Sequence, residues 1–257
     1  MNPVYLESAR LLTRVAPLVL VDDTFALKGG TAINLFLREM PRLSVDLDLV
    51  FPDHTVSREP ALRRINEAVR QAVARLKKQG FQTRSLAATG AGETKLLVKR
   101  GGIEVKIEVN FILRGTLHPV RMASLTAAAR EALQADLEIP VVSLEDLYGG
   151  KLVAAMDRQH PRDLFDVVQL FAHEGITPGI RHSMHCSQHA SRWRASSSKA
   201  SPPRNAAFCC HWSPASQTGR RWASRICRSF RGCGGSSKIS QDFARPIPES
   251  SPNNRMC

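Results

Sequence analysis

The chain has 257 residues, 43% hydrophobic and 23% charged, with a formal net charge of +13. That length suits one or two domains with a buried core, and so positive a charge ordinarily marks a nucleic-acid binder. The distribution confines that signal to the tail: residues 1–180 carry 23 Lys+Arg and 21 Asp+Glu, net +2, whereas residues 181–257 carry 13 and 2, net +11.

The N-terminal MNPVYLESAR has no basic stretch followed by an apolar run and a small-residue cleavage site, so it does not read as a signal peptide. No run approaches the roughly 18 consecutive apolar residues of a spanning helix. The expectation is a cytoplasmic protein without a membrane segment.

In chain order, residues 2–16 have the spacing of an amphipathic helix carrying Val4, Leu11, Leu12 and Val15. A short apolar segment, 25–27, leads into Gly29-Gly30, and Thr31 is placed to cap a helix over 32–38 that ends near Pro41. Residues 44–51 alternate, with Val45, Leu47 and Leu49 on one side and Asp46, Asp48 and Val50 on the other, the period of a strand. Residues 63–79 read as a surface helix stopped by Gly80. Strands follow over 81–86, 94–99 and 103–112, the last with Ile103, Val105, Ile107 and Val109 facing away from Glu104, Lys106, Glu108 and Asn110. A helix over 125–134 and a short strand over 139–142 precede Ser143-Leu144-Glu145-Asp146, which resembles a capping box opening a helix to about Met156. Pro161 interrupts it, and a second helix over 162–173 ends at Gly175 and Pro178. The fold class is α/β (α+β): a mixed sheet with helices over residues 1–124, then a helical lobe over 125–180.

From residue 181 the text changes. Val and Leu are absent, and all six cysteines and all three tryptophans lie there, among Ser, Arg and Pro. Three readings stand: a disordered basic Ser-rich tail, a segment translated out of frame, and a zinc site from Cys209, Cys210, Cys227 and Cys233. Out-of-frame reading of a GC-rich gene accounts best for the joint gain of Cys and Trp and loss of Val and Leu. On that reading residues 183–257 form extended coil and the helical lobe is incomplete.

The chemistry centres on Asp46 and Asp48. Two apart on a strand, they share a face, and paired carboxylates repel unless a cation lies between them; Mg²⁺ prefers such oxygen ligands. A bare DxD is weak evidence and is often only a solvated strand face. A Gly-Gly-Thr turn before a helix, able to cradle phosphate, and Glu108 as a third acid on another strand complete the layout of a two-metal nucleotidyl-transfer site.

The run LKGGTAINLFLREMPRLSVDLDL resembles the first motif of the AbiEii/AbiGii toxin family, a minimal nucleotidyltransferase branch of the DNA polymerase β superfamily. KIEVNF resembles the family's next active-site strand, and EDLYGGKLVAAMDRQHPRDLFDV its helical-lobe signature, a lysine followed by RDxxD. The resemblance implies a polymerase β-like lobe in which Asp46, Asp48 and Glu108 hold Mg²⁺ or Mn²⁺. It implies that Gly29, Gly30, Thr31 and Ser44 shape the phosphate-binding turn, that Lys151 reaches the nucleotide phosphates, that Asp166 orients Lys151 or assists the acceptor, and that Arg162 and Asp163 support that wall.

The implied reaction moves NMP from an NTP to an acceptor hydroxyl, in the family an RNA 3′ end and notably tRNA, in a type IV toxin–antitoxin setting with a winged-helix antitoxin. Protein AMPylation uses the same chemistry, and a catalytically inactive nucleotide- or RNA-binding module is the reading of a different class. Glu104 and Lys106 read as plain cross-strand charges and His160 as a turn residue. Arg162 also reads as a member of an ordinary salt bridge.

Overall fold

The computed structural model describes residues 3–87, 93–110 and 115–196. The chain divides into two compact units, residues 1–147 and 148–257.

The first unit is built on a seven-stranded mixed sheet: β1 (Ala26–Lys28), β2 (Asp46–Val50), β3 (Gln82–Ala87), β4 (Glu93–Arg100), β5 (Ile103–Asn110), β6 (Arg121–Ser124) and β7 (Glu138–Val141), in the order β3-β4-β5-β2-β1-β7-β6. The pairs β3–β4, β4–β5, β1–β2 and β6–β7 are antiparallel, and β2–β5 and β1–β7 are parallel. Alternation decides the faces. Leu47 and Leu49 of β2, Val105, Ile107 and Val109 of β5, and Leu96 and Val98 of β4 are buried. Helix α1 (Pro3–Val19) packs on β5 and β2, α3 (Arg58–Lys78) packs on β3, and the two helices pack on each other, contributing Leu11, Leu12 and Val15, and Ile65, Ala68, Ala72 and Leu76. Each large aliphatic side chain so covered is worth about 1.5–3 kcal/mol, which fixes the strand faces, since a one-residue slip would exchange core and charge. The first unit runs past the expected 124 to 147 because β7 pairs with β1, Leu27 opposite Val141, and carries α4 (Ala127–Leu133) with it.

Several elements differ from expectation. The segment 25–27 contributes a true strand, β1, and β6 carries no alternation to announce it. The helix expected from 32 begins at Gly29, as α2 (Gly29–Ala32), and continues as a π-helical turn over Ile33–Leu37. Thr31 therefore lies inside the first turn rather than capping it. Ile112, the expected end of the third strand, lies outside the described residues.

The second unit holds most of α5 (Leu144–Arg158), then α6 (Pro161–His173) and α7 (Pro178–Ser196). His160 caps α6, its Nδ1 accepting from the Arg162 N–H at 3.2 Å, with Pro161 at the first helical position where its missing N–H costs nothing. The coil expected from residue 183 is contradicted as far as 196. α7 passes through that boundary, with Ile180, Arg181, Ser183, Met184 and Gln188 buried. A Cβ on Gly149 of α5 would stand 2.6 Å from both the Met184 backbone nitrogen and Ser183 Cβ, so α7 packs on α5 where only a glycine leaves space for it. The remaining tail residues, Cys209, Cys210, Cys227 and Cys233 among them, lie outside the described residues. Among the described residues, no helix is long and apolar enough to cross a membrane.

Candidate active site

Because Leu47 and Leu49 point into the core, Asp46 and Asp48 stand on the opposite face of β2, both partly exposed. The parallel register sets Lys106 beside Asp46 and Glu108 beside Asp48, so the two strands present four charged side chains on one face. Lys106 Nζ is 3.1 Å from Glu108 Oε1 and 3.8 Å from Asp46 Oδ1. From the other side, β4 brings Lys95 Nζ to 3.2 Å from the same Glu108 oxygen.

Burial pushes the Glu108 carboxyl up, but hydrogen bonds and charge from Lys106 and Lys95 outweigh it and hold the group below its ordinary 4.5. For Lys106, burial acts downward, and the hydrogen bond to Glu108 with the charges of Asp46, Glu108 and Asp48 lifts the ammonium above its ordinary 10.5. Lys106 is, as expected, a cross-strand charge: its partner across the strands is Asp46, and it also pairs with Glu108 on its own strand.

The turn ahead of these strands is shaped by contact. Gly29 has φ +77, and a Cβ there would lie 2.2 Å from Asp48 Oδ2, so glycine is required both for the backbone and for the space the carboxylate fills. At Gly30 a Cβ would meet the Arg42 guanidinium at 2.8 Å and Ser44 Oγ at 3.1 Å. The Thr31 hydroxyl donates to the Asp46 carbonyl at 2.5 Å and lies 2.9 Å from Ser44 Oγ. Buried Asn34 donates to the Gly30 carbonyl at 2.8 Å, locking the turn from below. Gly29, Gly30, Thr31, Ser44, Asp46, Asp48 and Glu108 thus gather in the first unit. Arg42, Asn34 and Lys95 belong to the same group and were not singled out from sequence, and Lys106, read there only as a cross-strand charge, joins them.

In the second unit, Lys151 Nζ lies 3.0 Å from Asp163 Oδ1 and 3.1 Å from Asp166 Oδ2, with all three side chains buried. The guanidinium on Asp163 comes from Arg158, 2.9 Å from Oδ2, whereas Arg162 is exposed.

The hard oxygen donors of Asp46 and Asp48 suit Mg²⁺ or Mn²⁺, and the missing side chain at Gly29 gives the Asp48 carboxylate the space it occupies against the turn. Glu108 faces two lysines, and among the described residues no three His, Cys, Asp or Glu side chains are placed together to hold a metal ion. The two aspartates fit a divalent cation, and Glu108 stands beside them with its charge already matched.

Comparison with known proteins bears on the fold and the family. The chain is similar in structure to MenT4, a nucleotidyltransferase toxin from Mycobacterium tuberculosis H37Rv, with a TM-score of 0.55 and 16% identity over 93% of this chain and 94% of that one. A likeness at that identity speaks for the fold. No curated protein matches the sequence. The family described as nucleotidyl transferase AbiEii toxin, type IV TA system, matches residues 10–207, past the change of text at 181. The chain belongs to that family and is a nucleotidyltransferase of toxin–antitoxin type.

Proposed function

We propose that the chain moves a nucleoside monophosphate from an NTP to the 3′ hydroxyl of an RNA, with tRNA the first candidate, using a divalent cation held by Asp46 and Asp48. The acceptor oxygen bonds to the α-phosphorus as the bond to pyrophosphate breaks, and the hydroxyl proton passes to solvent. The observation that carries the reading is the placement of two aspartates on one face of β2 in register with Glu108, beside a glycine turn whose Cβ space is taken by the Asp48 carboxylate. A bound Mg²⁺ or Mn²⁺ would supply positive charge to the phosphate oxygens and to the developing alkoxide. Ser44 and Thr31, tied to each other and to the Asp46 carbonyl, keep the turn in place against the aspartates. Under the same proposal Gly29, Gly30 and Ser44 border the triphosphate. Lys151, Asp163 and Asp166 form the charged core of the second unit that the family resemblance associates with nucleotide use, and Arg158 takes the supporting place first given to Arg162.

Membership of a type IV toxin–antitoxin family implies a nucleotide substrate and an antitoxin partner, and a winged-helix antitoxin is the partner we propose. The test is incubation of the purified full chain with labelled NTPs, Mg²⁺, and either total tRNA or total protein. Label on tRNA with pyrophosphate release supports the proposal. Label on protein moves the acceptor to a Ser, Thr or Tyr hydroxyl. Nucleotide binding without pyrophosphate release sinks catalysis and leaves a binding module.

A further inference from the structure

A group of carboxylates on one strand face needs a counter-cation even when it holds no ligand, because like charges a few ångströms apart otherwise force one of them to take up a proton. Asp46, Asp48 and Glu108 stand on one face of the paired strands β2 and β5, and Lys106 lies on that face 3.8 Å from an Asp46 oxygen and 3.1 Å from a Glu108 oxygen. Its register partner is Asp46 itself, so the ammonium is fixed over the acids by strand pairing rather than by a wandering loop. Lys95 approaches from the flank, on Glu108.

We infer that Lys106 is the resident counter-cation of this acid group, holding the charge position that a divalent ion would otherwise take and lowering the affinity of the nucleotide-free protein for free Mg²⁺ or Mn²⁺. The inference rests on the metal-binding reading proposed above and adds a direction to it. An ammonium and a divalent ion drawn to the same carboxylates repel each other, so each weakens the other's hold. The Lys106 side chain is 36% exposed and its stem is flexible, so it can yield to water without leaving a buried charge behind. A triphosphate brings negative charge of its own and offers the displaced ammonium a new partner, so the ion binds best together with its nucleotide.

The experiment is a calorimetric Mn²⁺ titration of the nucleotide-free full chain, comparing wild type with Lys106→Met, Lys106→Gln, Lys106→Arg and Asp46→Asn, with melts of each in chelator and in Mn²⁺. Lys106→Met and Lys106→Gln are expected to bind Mn²⁺ roughly tenfold tighter or more, a change equivalent to one pKa unit or more of interaction. Lys106→Arg should bind like wild type. The neutral variants should melt lower than wild type in chelator and gain more from Mn²⁺. Unchanged or weaker Mn²⁺ affinity in the neutral variants, with Asp46→Asn losing binding, overturns the inference and leaves the metal reading intact. Affinity indifferent to Asp46→Asn overturns the metal reading, and the inference with it. Equal destabilisation in chelator and in Mn²⁺, or failure to fold in both, shows Lys106 to be a structural strut and also overturns it.

Discussion

The two units each set one lysine against two carboxylates, and they treat that trio in opposite ways. Lys106, Asp46 and Glu108 lie on a strand face with side chains 36%, 37% and 25% exposed, whereas Lys151, Asp163 and Asp166 are 8%, 7% and 0% exposed. In the first group water can take over from any partner, so the pairs contribute little to stability, about 0–1 kcal/mol each, and can be exchanged for a ligand. In the second, removing the lysine takes from two buried carboxylates the ammonium they share. Similar side chains therefore make a replaceable counter-ion in one unit and a fixed strut in the other.

The largest effect tests the exposed group. Asp46→Ala and Asp48→Ala are each expected to cut nucleotidyl transfer by at least roughly 10²-fold, the scale of losing one preorganised charge partner, while the unfolding midpoint stays near that of wild type. Pyrophosphate release and a thermal melt on the same samples decide it, and a large fall in the midpoint would erase the contrast with the buried trio. Lys151→Met should in addition lower stability. It leaves Asp163 and Asp166 buried without their ammonium, at a cost of about 3–5 kcal/mol, read as a shift in the urea midpoint at unchanged slope. A shift below about 1 kcal/mol would mean that the trio is as replaceable as the one on β2.

Smaller effects sharpen the same contrast at the glycines beside Lys151. Gly149→Ala puts a methyl 2.6 Å from the Met184 backbone and should destabilise by about 1–3 kcal/mol, the range of overpacking. A Cβ on Gly150 meets nothing within 4 Å, so Gly150→Ala should stabilise by up to about 1 kcal/mol through helix propensity. Melts that moved the same way in both would show that α7 does not press on α5. Smallest is a pH effect. The folded protein holds Glu108 below 4.5, so its contribution is present above that value and disappears as pH falls through the lowered one. The stability gap between wild type and Glu108→Gln should be constant near neutrality and close in acid; a gap that widened in acid would reverse the assigned sign.

What could be read from sequence follows from what each pattern encodes. Alternation around Leu47 and Leu49 shows that Asp46 and Asp48 share a face, because the period is local. It says nothing about which residue of another strand sits opposite, so Lys106 looked like any charge on the polar side of β5 until the parallel register set it against Asp46. Arg162 is the neighbour of Asp163 in the text and Arg158 lies five positions before it, yet the hairpin between α5 and α6 decides that Arg158 is the one that reaches the carboxylate. In α7 the buried stripe Ile180, Met184, Gln188 has the right spacing, but only two of its members are apolar and the buried neighbours are Arg181 and Ser183, so composition concealed the helix. β6 pairs along β7 with no alternation of its own, and only its partner reveals it.

The parallel pairing of β2 with β5 has a further consequence, for the order in which the molecule comes into being. Asp48 and Glu108 are sixty positions apart in the chain, whereas β3, β4 and β5 join through short antiparallel connections. Local pairings close quickly, and a distant parallel one must first meet the entropy of a long loop. The three-stranded meander is then the early structure and the β2–β5 junction the late one, with Lys106 and Glu108 already side by side before either aspartate arrives. During synthesis the acid group cannot exist until residue 108 has left the ribosome and that junction has closed.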